Sequence, residues 1–303
     1  MSIHLTWRHL GFGLGLLLLL SIVLLAQEYR LFDRAWFNVQ QAYEAEDVDH
    51  TMGLANYQVE IEGWPLGNLE NVSALTYDPD RNTLFTVTNK NPELIELSLD
   101  GQILRSITLE GFGDAEAVEY VSPGVYIISD ERQQRLIKVQ VTDSTTRLVA
   151  EDFQQLSLTV GDIGNKGFEG LAYDPASKRL FAAKERDPMR IVEIHGFPHE
   201  KSEQPFKLQV ESNITRDEGL FVRDLSSLHF DARSGHLLAL SDESRLLLEL
   251  SRKGEVLSSL SLLGGSSGLK DSIPQAEGVA MDHQGTLYIT SEPNLFYRFK
   301  KVE

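Results

Sequence analysis

The sequence predicts an all-β protein, a five-bladed β-propeller preceded by an N-terminal transmembrane helix. Three observations carry that expectation. One unit recurs five times, each copy holds period-two strands separated by turns, and a single uncharged apolar run precedes them all.

The apolar run comes first. LGFGLGLLLLLSIVLLA carries no charge from Leu10 to Ala26, near the lower length limit for crossing a bilayer and compatible with a signal-peptide core as well. Cleavage before Gln27 would place Leu24 and Ala26 at the positions where small residues are needed. Leu24 is too large, which favours an uncleaved signal anchor over residues 1–27. Arg8 precedes the run and directs that end to the cytoplasm, although Arg30 and Arg34 follow it. The expected location is therefore the plasma (inner) membrane, single-pass, with the C-terminal domain in the periplasm. Residues 28–56 have no strand pattern and read as a juxtamembrane linker containing a helix and a tether, with Trp36 and Phe37 suited to the lipid interface.

The repeats occupy residues 57–303. Their anchor positions are Ser73, Glu116, Glu169, Ser226 and Glu277, spaced 43 to 57 residues apart, close to the length of a four-stranded propeller blade. In FEGLAYD and AEGVAMD the second and fourth residues after the anchor are large (Leu171 and Tyr173; Val279 and Met281), while the first and third are small (Gly170 and Ala172; Gly278 and Ala280). Period two puts these sets on opposite faces of one strand, so one face fills space and the other lets a neighbouring blade approach. Asp78, Asp174, Asp231 and Asp282 then open the turns, where a carboxylate caps the backbone. A second strand ending in TN, SD, KE, SDE or SE returns, and a third follows. Fourth strands are expected at 102–109, 147–153, 206–212 and 255–262. The fifth copy has none, and NYQVEIEGW at 56–64 is expected to supply it and close the ring.

Composition narrows the partners. Lys+Arg 28 against Asp+Glu 45 gives a formal charge of −17, which repels phosphate backbones and attracts cations, so no nucleic-acid partner is expected. With Cys 0 there is no disulfide, thiol nucleophile, thiolate metal site or acylated lipoprotein anchor. GGSSG at 264–268 lacks the lysine of a phosphate loop, no Gly-x-Ser-x-Gly elbow exists, and His195 and His199 flank Gly196 and Pro198 in what reads as a loop. His229 reads as a buried inner-strand histidine. No catalytic set emerges.

The carboxylates do converge. The second strand returns to the level of the anchors, so Lys90, Glu131, Glu185, Glu243 and Glu292 are expected beside Glu116, Glu169 and Glu277 at one rim of the channel, with Asp130 and Asp242 close by. Like charges so placed need compensation. A hard cation, most naturally calcium, suits an all-oxygen set. Salt bridges from Lys90, Arg132, Lys184 and Arg186 are a second answer, and carboxylates of raised pKa acting without metal a third. Glu116, Glu169 and Glu277 are the first candidates for metal ligands, and Glu131, Glu185, Glu243 and Glu292 the next.

GFEGLAYD, SDER, IPQAEGVAMD and SEPNLFYRF, behind an N-terminal apolar segment, resemble the bacterial SdiA-regulated, YjiK-like family over almost all of the chain after about residue 57. The resemblance implies a five-bladed propeller distantly similar to NHL-repeat proteins, a calcium site, and association with the cell envelope. Carried over by motif, that site falls on Glu116 in AEAVEY, Glu169 in FEGLAY and Glu277 in AEGVAM; Ser73 and Ser226 depart from the pattern. The family assigns no activity. The expected function is a membrane-anchored, periplasm-facing calcium-binding scaffold that recognises an envelope protein or a small ligand. The alternative is a calcium-dependent hydrolase of lactonase or phosphoesterase type.

Overall fold

The structure is a computed structural model that describes residues 7–28, 30–44, 51–158, 167–198 and 207–302. The described residues between 51 and 302 form five sheets arranged as blades, antiparallel apart from one added outer strand. The first holds β2 (Val72–Asp78), β3 (Thr83–Thr88), β4 (Glu93–Leu97) and β5 (Ile103–Glu110), and the second holds β6 (Ala115–Ser122), β7 (Val125–Asp130) and β8 (Arg135–Gln140). β9 (Arg147–Val149) and β10 (Gln154–Ser157) follow. The third blade is β11 (Phe168–Asp174), β12 (Arg179–Lys184), β13 (Arg190–His195) and β14 (Gln209–Ser212); the fourth is β15 (Ser227–Asp231), β16 (His236–Ser241), β17 (Leu246–Leu250) and β18 (Val256–Ser261). The fifth joins β19 (Gln275–Met281), β20 (Leu287–Glu292) and β21 (Leu295–Lys301) to β1 (Tyr57–Pro65). β1 runs antiparallel to β21, from Tyr57 opposite Lys301 to Pro65 opposite Leu295. The strand expected at 56–64 thus closes the ring and covers the last blade's free edge.

One outer strand departs from expectation. Residues 147–153 were expected to be the fourth strand of the second blade, but β9 adds in parallel to β5 of the first blade, with Thr108 opposite Arg147 and Glu110 opposite Val149. A 3-10 turn at Ala150–Asp152 then leads into β10, which pairs with β8. Alternation in RLVAEDF fits either edge equally. What distinguishes them is the unpaired outer edge of β5, which β9 covers while Leu148 enters the core.

The inner strands β2, β6, β11, β15 and β19 pack side by side around the axis, and their small residues make this possible. A Cβ on Gly170 would lie 2.9 Å from Leu228 N and Ser227 C of the next blade, and one on Gly278 would lie 2.4 Å from the carbonyl atoms of Ala74. The large residues two positions after the anchors, such as Val118 and Leu171, turn the other way into a core that spans the first three blades, where Phe85 of β3 and Tyr126 of β7 bring their ring centroids to 4.8 Å. Burying side chains of this size contributes about 1.5–3 kcal/mol each.

The turn aspartates cap as expected. Asp78 Oδ1 accepts the Asp80 and Arg81 amides at 2.8 and 3.1 Å, Asp174 Oδ1 the Ala176 amide at 3.0 Å, and Asp282 Oδ1 the Gln284 and Thr286 amides at 2.8 and 2.9 Å. Their carboxylates are consumed at the end of the channel opposite the anchor glutamates. They are structural residues.

The N-terminal segment forms two helices, α1 (Trp7–Glu28) and α2 (Leu31–Glu44). Among the described residues no single helix is long and apolar enough to cross a membrane; Gly11–Gln27 and Leu31–Val39, bent by 66°, meet that criterion only as a pair. His195 ends strand β13 instead of lying in a loop, and its partners there are Arg179 and Gln209. His199 lies outside the described residues.

Candidate metal centre

A β-bulge sets each anchor glutamate in place. In β6 the pairing passes from Ala115 opposite Asp130 to Ala117 opposite Ser129 and skips Glu116. In β11 it skips Glu169, and in β19 it skips Glu277. The unpaired residue of a bulge breaks the alternation and re-aims its side chain. All three glutamates line one cavity at the mouth of the channel, together with Ser73 of β2 and Ser226, which directly precedes β15.

That cavity measures about 270 Å³, and its wall carries eight carboxylates (Glu116, Glu169, Glu185, Asp224, Asp242, Glu243, Glu277 and Glu292) against one guanidinium, Arg186. Arg186 is committed to Glu185 and to Glu243, the latter at 2.7 Å. Asn89 Nδ2 donates to Glu116 at 2.9 Å, Gln275 Nε2 donates to Glu277 at 2.9 Å, and Asn71 Nδ2 lies 3.4 Å from both oxygens of Glu292. Glu169 makes no hydrogen bond or ion pair among the described residues. Glu131 stands at the edge, where its Oε1 accepts the Gly167 amide at 3.0 Å. A Cβ on Gly167 would meet Glu131 Cγ at 2.7 Å, so glycine permits that approach.

Burial and mutual repulsion leave their mark on protonation. Burial first, then the charges of Asp114 and Glu131, push Glu116 up to about 7 despite hydrogen bonds from Asn89 and Ser73. Burial, followed by the charges of Glu277, Glu116 and Glu131, pushes Glu169 up to about 9. Glu277 rises to about 8, again chiefly through burial, with Asp242, Glu292 and Glu116 adding to it. Burial also raises Glu131, Asp224, Asp242 and Glu292. The ring is thus poised to hold protons or a cation in their place.

A pH dependence follows for the metal-free protein. The folded pKa values of Glu116, Glu277 and Glu169 lie above the ordinary 4.5, so at neutral pH the native state binds more protons than the unfolded chain. Stability is then greatest below about pH 4.5 as far as these groups decide it, and falls as pH rises through the folded values toward about 9. Chelator-stripped protein is expected to melt several degrees lower at about pH 8 than at about pH 5.5, and calcium at the higher pH is expected to remove most of the difference. Thermal unfolding at both pH values checks this.

The donor set fits a hard cation. It consists of oxygen atoms alone, and carboxylate oxygens of Asp114, Glu116 and Glu131 lie within 4.8 Å of one another, close enough for one ion with oxygen ligands at about 2.3–2.6 Å. Glu116 belongs both to this close group and to the triad expected from the repeats.

Six of the seven glutamates named from the sequence line the cavity, and Glu131 adjoins it. Of the expected salt bridges, those from Arg186 and Arg132 reach the carboxylate ring. Lys90 pairs with Glu70 at 3.1 Å, both exposed, while Arg132 reaches Asp114 at 3.5 Å and Lys184 Nζ donates to the carbonyls of Arg186 and Asp187. Lys90 was placed one residue out of register. Val72 opposite Thr88 is the counterpart of Ala115 opposite Asp130, so Asn89 stands where Glu131 stands in the second blade. Asp130 is buried and held by Arg135 at 2.9 Å, with its carboxylate on the Gly113 and Asp114 amides, which makes it a support. Asp114 and Asp224 were missed, although both lie two residues before an anchor position. Asn71 and Gln275 occupy the same offset and also hydrogen-bond the ring, which is the signal that would have found them.

Comparison with known proteins places these observations in a family context. A family model described as SdiA-regulated matches residues 49–300. Among solved structures, the chain is similar to a luciferin-regenerating enzyme (12% identity over 79% of this chain and 95% of that chain, TM-score 0.49). It is similar to the calcium-binding protein regucalcin from Agrobacterium tumefaciens str. C58 (12% identity, 80% and 94% covered, TM-score 0.48) and to a streptogramin B lyase (11% identity, 82% and 98% covered, TM-score 0.47).

Proposed function

The chain belongs to the SdiA-regulated family, and from that premise and its acidic channel mouth we propose that it is a membrane-anchored, periplasm-facing propeller that binds calcium and serves as a binding scaffold in the cell envelope. The single observation that carries the reading is the excess of eight carboxylates over one guanidinium around a cavity of about 270 Å³. Glu116, Glu169 and Glu277 would hold the ion, with Asp114 and Glu131 beside Glu116. Glu185 and Glu243 serve as partners of Arg186, and Glu292 stands with Asn71. A bound calcium ion supplies positive charge that removes the repulsion and can polarise a carbonyl or phosphoryl oxygen.

Membrane attachment rests on α1 and its flank. Phe12, Leu16, Leu20 and Leu24 are among side chains more than half exposed there, a contiguous apolar surface that lipid would cover. The periplasmic orientation rests on Arg8 ahead of the run.

A hydrolase is the second reading, favoured by one feature: a cavity of about 270 Å³ has room for a small substrate group beside an ion, whose share is roughly that of one water, about 30 Å³. The acidic wall opposes phosphate esters and leaves neutral lactones as the substrates to screen.

The test is thermal unfolding of chelator-stripped protein against calcium concentration at neutral pH. The melting temperature is expected to rise with calcium, by mass action on a native-state site, and to saturate. A melting temperature indifferent to calcium removes the proposal. Carbonate extraction of membranes checks the anchor separately: the chain is expected to stay in the pellet, and full release would contradict it.

A further inference from the structure

The channel has a second chamber at its other end, of about 190 Å³, and all five inner strands reach it. Its wall is made by Tyr77, Tyr120, Tyr173, Phe230 and Met281, the large residues four positions after each anchor, with Glu119 and His229 one position earlier. Its chemistry is the reverse of the acidic mouth.

The polar groups around this chamber are spoken for, with one exception. Glu119 has both oxygens occupied, accepting from Thr76 Oγ1 at 2.9 Å and from the Tyr173 amide at 3.0 Å. Tyr77 is tethered at its phenol by Asn82 and His283, each at 2.8 Å, and Tyr120 by Asp80, which fixes their rings in place. Asp231 is neutralised by Arg233 at 2.8 Å, and Asp282 is consumed by its turn and by Tyr288. His229 is the exception: neither of its ring nitrogens has a hydrogen-bond partner among the described residues. A neutral imidazole offers one donor and one acceptor. Burial lowers the His229 pKa to about 4 and raises that of Glu119 to about 8, so both are predominantly uncharged at neutral pH.

We infer that this chamber is a second binding site, for a small neutral aromatic molecule of one ring whose hydroxyl hydrogen-bonds His229. Size sets the class: a dry cavity of about 150 Å³ admits benzene, so 190 Å³ suits one ring with a small substituent. Aromatic walls held rigidly favour a planar guest through stacked and edge-on ring contacts. Charge excludes anions, because no lysine or arginine lines the chamber among the described residues, Arg233 is paired with Asp231, and the chain carries −17 overall. A hydroxyl both donates and accepts, matching what His229 leaves open.

Phenol is the probe. Titrated into the full-length chain, it is expected to bind saturably at one site and to shift the imidazole nitrogen resonances of His229, with benzoate binding at least tenfold more weakly. His229→Leu is expected to weaken phenol at least tenfold and to leave toluene unchanged. Glu169→Gln, at the other mouth, is expected to leave phenol affinity unchanged, so the two sites fail or stand independently. Absence of saturable phenol binding, binding that leaves the His229 resonances in place, or a preference for benzoate would overturn the assignment. The resonance measurement uses the wild-type chain and so does not depend on any variant folding.

Discussion

Glu116→Gln is expected to weaken calcium binding on the order of a hundredfold, about 2.7 kcal/mol. Glu116 shares the close oxygen group with Asp114 and Glu131, and it contributes charge to both Glu169 and Glu277. The substitution keeps shape and the hydrogen bond from Asn89 but removes the charge a hard cation requires. The same change relieves repulsion in the metal-free ring, so the stripped variant is expected to be more stable than stripped wild type near pH 8, where Glu116 with its pKa of about 7 is ionised. Loss of affinity with a gain in metal-free stability is a signature that simple structural damage does not produce. Glu169→Gln is expected to act in the same direction, whereas Asp174→Asn, at a turn, is expected to leave affinity unchanged. Calorimetric titration together with unfolding of the stripped proteins measures both effects.

Gly278→Ala is expected to destabilise the propeller by about 3 kcal/mol, because an added methyl in a packed interior forces backbone shifts. Its Cβ would sit 2.2 Å from Thr290 Oγ1 and 2.4 Å from the Ala74 carbonyl carbon and oxygen. Thr290 Oγ1 donates to that same carbonyl at 3.0 Å, so the intrusion also breaks the hydrogen bond that ties the fifth blade to the first. For a domain of this size the melting temperature should drop by about 10 °C. Gly219 has nothing within 4 Å of its added Cβ, and Gly219→Ala is expected to change stability by no more than about 0.5 kcal/mol. Equal effects at both glycines would show that contact between inner strands is not what position 278 requires.

The blades were legible because each repeats one pattern: an anchor, alternating small and large residues, and an aspartate that caps the turn. The closing strand was legible from alternation in NYQVEIEGW. The site was legible as a convergence of carboxylates, since Glu169 opening a buried strand has no structural use there. Register was harder. A bulge adds one residue to one strand, and nothing in the TVTNKN segment shows whether Asn89 or Lys90 meets the channel; the pairing of Val72 with Thr88 decides it. The same limit hid Asp114 and Asp224, which precede their strands and reach the site through loop geometry. β9 was misassigned because alternation describes a strand's faces and leaves its partner open.

The two ends of the channel divide the chemistry of the fold. Bulges at the start of β6, β11 and β19 turn glutamates toward the axis, while the other end of the inner strands brings tyrosines and His229 together. Small residues between them, such as Gly170 and Gly278, hold the blades close. A single repeat therefore builds an acidic mouth and an aromatic chamber from different positions of one strand.

The most direct test of the acidic mouth is the number of protons released when calcium binds. Calorimetric titration of the chelator-stripped full-length chain at about pH 7, in buffers of differing ionisation enthalpy, counts them. Carboxyls with pKa values of about 7, 8 and 9 must give up protons to bind a metal, so saturable binding of one ion with release of roughly two protons is the predicted result. Binding without proton release would place the ion away from Glu116, Glu169 and Glu277, and no binding at all would leave the ring neutralised by protons, Arg186 and Arg132.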